Sequence, residues 1–371
     1  MKTGRETRRS FIGSLAGAGA WAALSGCVGP RADVGWKAPQ DFKWAFLVHF
    51  GMNMWNDIIS APERDDYQNI LLTDEEFAEI AAHDYGSCYN YCDYVRFDET
   101  LWREFADRLK ASGCNTLIVD LGEFVRFPSH PELAVKGSWE PARMNAEIRR
   151  LKAMGFDVIP KLNFSTCHDT WLKEYSWMVS TERYHQVCAD VIRDACEICD
   201  RPSAFHLGLD EEDIVGFQSK QQIIIMRQGE RWWKDVHRLI GNVEKQGARA
   251  WMWSDWAFHN DVDEFIRRIP KATMQCPWTY GLTDKYLYDE KKIRVMDRLG
   301  EAGLDIVPAG SNCFGCLGNF HALTEHAAQN IPPDHFKGML MTTWMQTRSP
   351  YRRLLDQAAD LMAEEVRRTK G

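Results

Sequence analysis

The sequence predicts an α/β fold, a (β/α)8 barrel of the TIM type. Three observations carry that prediction. Eight short apolar runs recur over residues 41–371, amphipathic helical patterns fill the stretches between them, and the chain closes on a helix. The runs are apolar on both faces, as strands of a parallel sheet covered on both sides must be. An open doubly wound sheet would need a glycine-rich phosphate turn after one of its strands, and no such turn occurs.

Residues 1–27 stand outside the predicted fold. Thr7, Arg8, Arg9, Ser10 and Phe11 form a twin-arginine pattern ahead of the small, apolar stretch from Ile12 to Leu24. That stretch is too short to span a bilayer and reads as the hydrophobic region of a signal peptide. It ends in Leu24, Ser25, Gly26 and Cys27, which resembles a bacterial lipobox whose cysteine becomes the lipidated first residue. The expectation is export by the twin-arginine route to the periplasm or cell envelope, with membrane anchoring through Cys27. A linker over 28–40 follows, and residues 41–371 form the barrel domain.

The runs, in order, are "WAFLVHF" from Trp44, "NTLIVDL" from Asn115, "FDVIPKLNF" from Phe156 and "SAFHLGL" from Ser203. They continue with "ARAWMWSD" from Ala248, "ATMQCPW" from Ala272, "LDIVPAG" from Leu304 and "GMLMTTW" from Gly338. Between the first two, "DETLWREFADRLKASG" repeats Leu101, Phe105 and Leu109 every four residues and stops at Gly113. "MNAEIRRLKAMG" has the same design, closed by Gly155, and "RRLLDQAADLMAEEVRR" is the last helix. Two connections are long: Met52 to about Phe97, and Asp213 to about Gly229. Long loops in compact domains usually carry function.

A net charge of −8 with basic residues interspersed among acids excludes the basic field that nucleic-acid binding needs. Without Cys27 ten cysteines remain. The Cys88/Cys92, Cys196/Cys199 and Cys313/Cys316 spacings occur in metal sites, yet no His/Cys cluster completes a four-ligand set, so the cysteines read as buried thiols.

Barrel active sites form where strands end at the C-terminal face, and the fourth run ends in "HLGLDEED". Asp210 and Glu211 are adjacent there, and like charges that close raise the pKa of one of them, which suits a general acid. Trp171, Trp253, Trp256, Trp278 and Trp344 follow or end other runs and can wall a site for sugar faces. Asp120, Glu123, Asp255 and His168 lie at neighbouring strand ends. Glu212 and Asp213 read as the start of a loop or a helix cap. His206, inside an apolar run, reads as a core histidine that also supports the mouth from below. Acid, stabilising carboxylate and aromatic walls together predict a glycoside hydrolase acting on a carbohydrate, with no cofactor and no metal.

The segments "GCNTLIVDL", "RFPSHPELAVKGSW", "MNAEIRRLKAMGFDVIPKLNFSTCHDTW" and "FHLGLDEED" resemble, in order, the second to fourth barrel segments of family 20 glycoside hydrolases, the β-N-acetylhexosaminidases. His206, Gly208, Asp210 and Glu211 match that family's His-x-Gly-x-Asp-Glu signature. The resemblance implies substrate-assisted, retaining hydrolysis. Glu211 is then acid and base, Asp210 orients the 2-acetamido group whose carbonyl attacks, and His168, Trp253, Trp278 and Trp344 belong to the site.

Three positions depart from the pattern. The first strand offers His49 and Asn53 where the family has an arginine, "SNCFGC" lacks the tyrosine expected near the seventh strand, and Gln346 stands where the eighth has glutamate. "FLVHFGMNMW" is in addition similar to the first strand of family 29 α-L-fucosidases, in which Asp210 would be the nucleophile. A catalytically silent glycan-binding barrel is the third alternative.

Overall fold

The computed structural model describes residues 35–54, 75, 91–212, 224–280, 289–312 and 317–370. The twin-arginine residues Arg8 and Arg9, the lipobox Cys27, Cys88, Asp213, Cys313 and Cys316, and most of both long connections lie outside them.

Within the unit Lys37–Gly371, eight parallel strands alternate with helices. The strands are β1 Lys43–His49, β2 Thr116–Asp120, β3 Asp157–Lys161, β4 Ala204–His206, β5 Arg249–Trp253, β6 Met274–Cys276, β7 Ala309–Ser311 and β8 Gly338–Thr342. They pair in the order β6-β5-β4-β3-β2-β1-β8-β7. The bridges Gln275–Ile306 and Trp278–Ala309 join the two ends, so the sheet closes into the predicted barrel. Pro308, which has no N–H to donate, separates the bridge at Ile306 from β7 proper.

The helices are α1 Glu99–Ala111, α2 Pro141–Ala153, α3 Glu182–Ile198, α4 Glu230–Lys245, α5 Asp255–His259, α6 Val262–Arg268, α7 Glu290–Glu301, α8 Asn319–Asn330 and α9 Arg352–Thr369. Helix α1 shows how the sequence builds one. The Asp98 carboxylate accepts from Leu101 N–H at 3.0 Å, Glu99 and Arg108/Lys110 complement the helix dipole, and Leu101, Trp102, Phe105 and Leu109 face the sheet. Gly113, at φ +91°, turns the chain toward β2.

The barrel interior holds Ala45, Leu47, Ile118, Ile159, Ala204, Trp251, Trp253, Met274, Cys276, Val307, Ala309 and Leu340. Tryptophans therefore fill space that branched aliphatics usually take, with Ala45, Ala204 and Ala309 in the same cluster leaving the room. This corrects the expectation that Trp253 and Trp171 are walls of the mouth. Each is only 1% exposed, and Trp171 Nε1 donates to the Asn163 carbonyl at 2.9 Å. Trp256 likewise stacks on Trp232 at 5.2 Å.

Candidate active site

The strand ends carry a buried polar tier. Its Cα partners run His49–Asp120–Lys161–His206 across β1 to β4, and Gln346 bridges to His49 from the β8 side. In-register neighbours share a face, and the two-residue period continues Leu47, Ile118, Ile159 and Ala204 of the core to these side chains. Lys161, fully buried, donates to Asp120 at 2.5 Å, and His49 Nδ1 lies 3.4 Å from the same carboxylate. Burial pulls the His49 pKa down against the opposing bond to Asp120, and burial together with the charge of Lys161 holds His206 well below the usual imidazole range. Burial would raise Asp120, but Lys161 and His49 outweigh it and keep the group an anion. The tier thus combines neutral imidazoles with one ion pair, for no net charge. His49 Nε2, His206 Nε2 and Gln346 Nε2 are buried with no protein partner among the described residues, an arrangement suited to receiving hydroxyls.

Above this tier sits the acid pair. Asp210 is 6% exposed and accepts from Asn163 Nδ2 at 2.8 Å, while its backbone carbonyl accepts from Ser165 Oγ at 2.5 Å. His168 Nε2 lies between the two acids, 3.4 Å from Asp210 Oδ2 and 3.2 Å from Glu211 Oε2. The Glu211 side chain remains 36% exposed. The glycine of the motif has a steric cause, since a Cβ at Gly208 (φ +71°) would stand 1.9 Å from Asn163 Oδ1. Leu209 (φ +72°), Glu211 (φ +54°) and Trp344 (φ +55°) also adopt left-handed backbone conformations, each costing on the order of 1–3 kcal/mol and each held by surrounding bonds.

Asp255, at the start of α5, is 2% exposed and joins the pair from the β5 side. Its Oδ1 accepts from Glu211 N–H at 3.1 Å and its Oδ2 from Trp278 Nε1 at 2.7 Å. Burial first, and the charge of Asp210 second, push its pKa up to about 7. Trp278 stacks on Tyr280 at 4.8 Å, and Lys292 Nζ lies 2.9 Å from its ring centroid. A ring already stacked on one face accepts an ammonium that close only on the other, so Trp278 presents its N–H rather than an open platform. This corrects the reading of its face as a sugar wall. Trp344, partly buried over Met52, Met54 and Trp253, donates through Nε1 to Tyr280 OH at 2.8 Å.

Asp120, His168, Asp210, Glu211, Asp255, Trp278 and Gln346 accordingly gather at one end of the barrel. Asn53 does not join them. Its side chain bonds the backbone of Cys92 at 2.7 and 2.9 Å and accepts from Arg96 at 3.1 Å, because it ties the first connection down beside buried Glu123. The Glu212 side chain is buried rather than solvated, and the loop or helix expected to follow it falls at 213–223, outside the described residues. The Glu212 carboxylate is 4% exposed, accepts from Thr166 N–H at 2.8 Å and pairs with buried Arg227. Cys196 and Cys199 are buried thiols, as expected, and no group of metal-ligating residues occurs among the described residues.

Sequence reasoning missed Asn163, Ser165, Lys161, Arg227, Tyr280 and Lys292. For the first three a signal existed. Lys161, Asn163 and Ser165 sit at alternate positions of "PKLNFS", on one face of an otherwise apolar run.

The fold is thus a (β/α)8 barrel with an acidic mouth. Among solved structures it is similar to the GH20 β-N-acetylhexosaminidase from Streptomyces coelicolor A3(2), at TM-score 0.54 and 12% identity over 71% of this chain and 61% of that one. A Flavobacterium johnsoniae chitobiase gives TM-score 0.54 at 12% identity over 73% of this chain and 46% of that one. Dispersin B gives 0.52 at 13% identity, with 74% of this chain and 96% of that one covered. The chain therefore spans about three fifths of the Streptomyces protein and nearly all of dispersin B. No protein-family model matches the sequence, and neither does any curated protein.

Proposed function

We propose that the chain is a glycoside hydrolase that cleaves 2-acetamido sugars by substrate-assisted, retaining hydrolysis. The observation that carries this reading is the Asp210–Glu211 pair, joined through His168 and held at the barrel mouth over a tier that carries no net charge and leaves imidazole and amide nitrogens without a protein partner among the described residues. The likeness of the barrel to GH20 structures agrees with it.

In this reading Glu211, the more exposed acid, protonates the glycosidic oxygen as the C1–O bond breaks. The acetamido carbonyl oxygen of the substrate bonds to C1 from the other side. Asp210, fixed by Asn163, accepts the acetamido N–H and stabilises the positive charge that the ring acquires. Glu211, now ionised, takes a proton from water as the water oxygen bonds to C1 and the acetamido oxygen leaves it, which opens the five-membered ring and restores both the acetamido group and the acid. His49, Gln346 and His206 suit neutral hydroxyls. Tyr280, whose oxygen accepts from Trp344, brings a hydroxyl to the mouth in place of the tyrosine missing near the seventh strand.

The test is an activity screen of the mature chain on aryl glycosides. Glu211→Gln should lose more on poor leaving groups than on activated ones, and Asp210→Asn should lose on the order of 10²-fold, about 3 kcal/mol. Azide should not rescue Asp210→Ala. An inverted glycosyl azide, above all from an α-fucoside, would make Asp210 a covalent nucleophile and favour the fucosidase reading. Glycan binding with no turnover of any glycoside would favour the silent barrel.

A further inference from the structure

The backbone around Glu211 is gripped at every peptide. Ser165 Oγ bonds the Asp210 carbonyl, Asp255 accepts the Glu211 N–H, and Cys167 Sγ lies 3.0 Å from the Glu211 carbonyl. The next side chain, Glu212, turns inward to Thr166 N–H and Arg227. Arg227 is itself 3% exposed, donates to the Phe164 carbonyl at 2.9 Å and lies 3.7 Å from Asp235 of α4. Burying an ion pair is costly unless its geometry serves something, and an acid in a plain solvated turn has no cause to be buried at all. Here consecutive acids face opposite ways: Glu212 into the protein, Glu211 into the mouth.

We propose that the Arg227–Glu212 pair is a positioning clamp that holds Glu211 in its left-handed backbone conformation and so aims its carboxyl at the substrate. A single nitrogen of the guanidinium, Nη2, donates to the Phe164 carbonyl, after β3, and to the Glu212 carboxylate, after β4, and so ties the two strand ends together. Without the clamp, Glu211 relaxes to negative φ and its carboxyl turns from the mouth. The clamp rests on the reading of Glu211 as the acid given above.

Glu212→Met keeps the length but removes the oxygen that accepts from both Thr166 N–H and Arg227, and Asp235 remains 3.7 Å from Arg227 as its counter-charge, so this variant opens the clamp. On an aryl glycoside with a poor leaving group, kcat should fall about 10²-fold with KM nearly unchanged. On a dinitrophenyl glycoside the fall should be a few-fold, because that group departs with little protonation. Both losses should vanish in a Glu211→Gln background, and Arg227→Lys should be intermediate. A crystal structure of Glu212→Met should show Glu211 at negative φ. Retention of φ near +54°, or an equal loss on both substrates that persists without Glu211, overturns the clamp. If the unmutated chain cleaves no glycoside, the functional reading fails, while the φ of Glu211 still decides on the clamp.

Discussion

Asp255→Asn isolates the electrostatics of the mouth in a stability measurement that needs no substrate. The Asp255 carboxyl is raised from 3.8 to about 7, by burial first and by Asp210 second, against the opposing pull of Lys292 and the N–H groups of Glu211 and Trp278. Between those two values the folded protein holds a proton that the unfolded chain has lost. Stability is therefore fully present below pH 3.8 and drains away as pH rises to about 7. At about 1.4 kcal/mol per unit the whole loss is about 4 kcal/mol, of which about 3 kcal/mol falls between about pH 5 and pH 8.5. Asparagine does not titrate. It still offers one oxygen acceptor, and the bond lost at the other atom costs about 1 kcal/mol at both pH values, so that cost cancels. Urea unfolding of both proteins at the two pH values, with equal m-values, measures the difference. The original chain should lose about 3 kcal/mol more than the variant over this interval. Parallel losses would refute the claim that Asp255 is protonated beside Asp210.

Three other outcomes follow from the geometry. Lys161→Met should destabilise the fold by about 3–5 kcal/mol, since it strands the buried Asp120 anion, and Asp120→Leu in the same chain should restore most of that stability; thermal or urea unfolding reads both. Trp278→Phe keeps the ring but removes the bond to Asp255 Oδ2, so the pH at which stability bottoms out should move above 7 while glycan affinity changes by less than about twofold. Export is proposed from the sequence alone: Arg8 and Arg9 replaced by Lys should leave precursor in the cytoplasm, and Cys27→Ala should release a folded product from the membrane fraction.

The barrel was legible because its signals are local. A strand buried on both faces must be apolar throughout, and a helix against it must repeat every three to four residues and end at a glycine, as "DETLWREFADRLKASG" does at Gly113. The acid pair was legible because strand order alone assigns "HLGLDEED" to the mouth. Partner choice was not legible. Nothing in "DEEDIVGF" says that Glu212 meets Arg227, or that Asn163 joins His168 at Asp210. The tryptophans misled for a related reason: position at a strand end does not say whether a ring points out or in. Trp253 turned inward because Ala204 and Ala309 left space, and Trp278 lost its open face to Lys292, a residue of α7 distant in sequence.

The acidic run after the fourth strand is best understood as a division of one chemical type into separate tasks by burial and partner. Asp210 is buried and fixed by Asn163, so its oxygens keep one orientation. Glu212 is buried and neutralised by Arg227, which removes it from the chemistry and makes it an anchor. Glu211, between them, keeps solvent exposure, which the proton exchange with substrate and water proposed for it requires. Its freedom is nevertheless confined to the side chain, because both flanking peptides are bonded. Adjacent carboxylates in an unstructured turn would share one environment. A barrel mouth that holds each in a different environment can give neighbouring carboxylates different tasks, as the proposed proton donation beside a stabilising carboxylate requires.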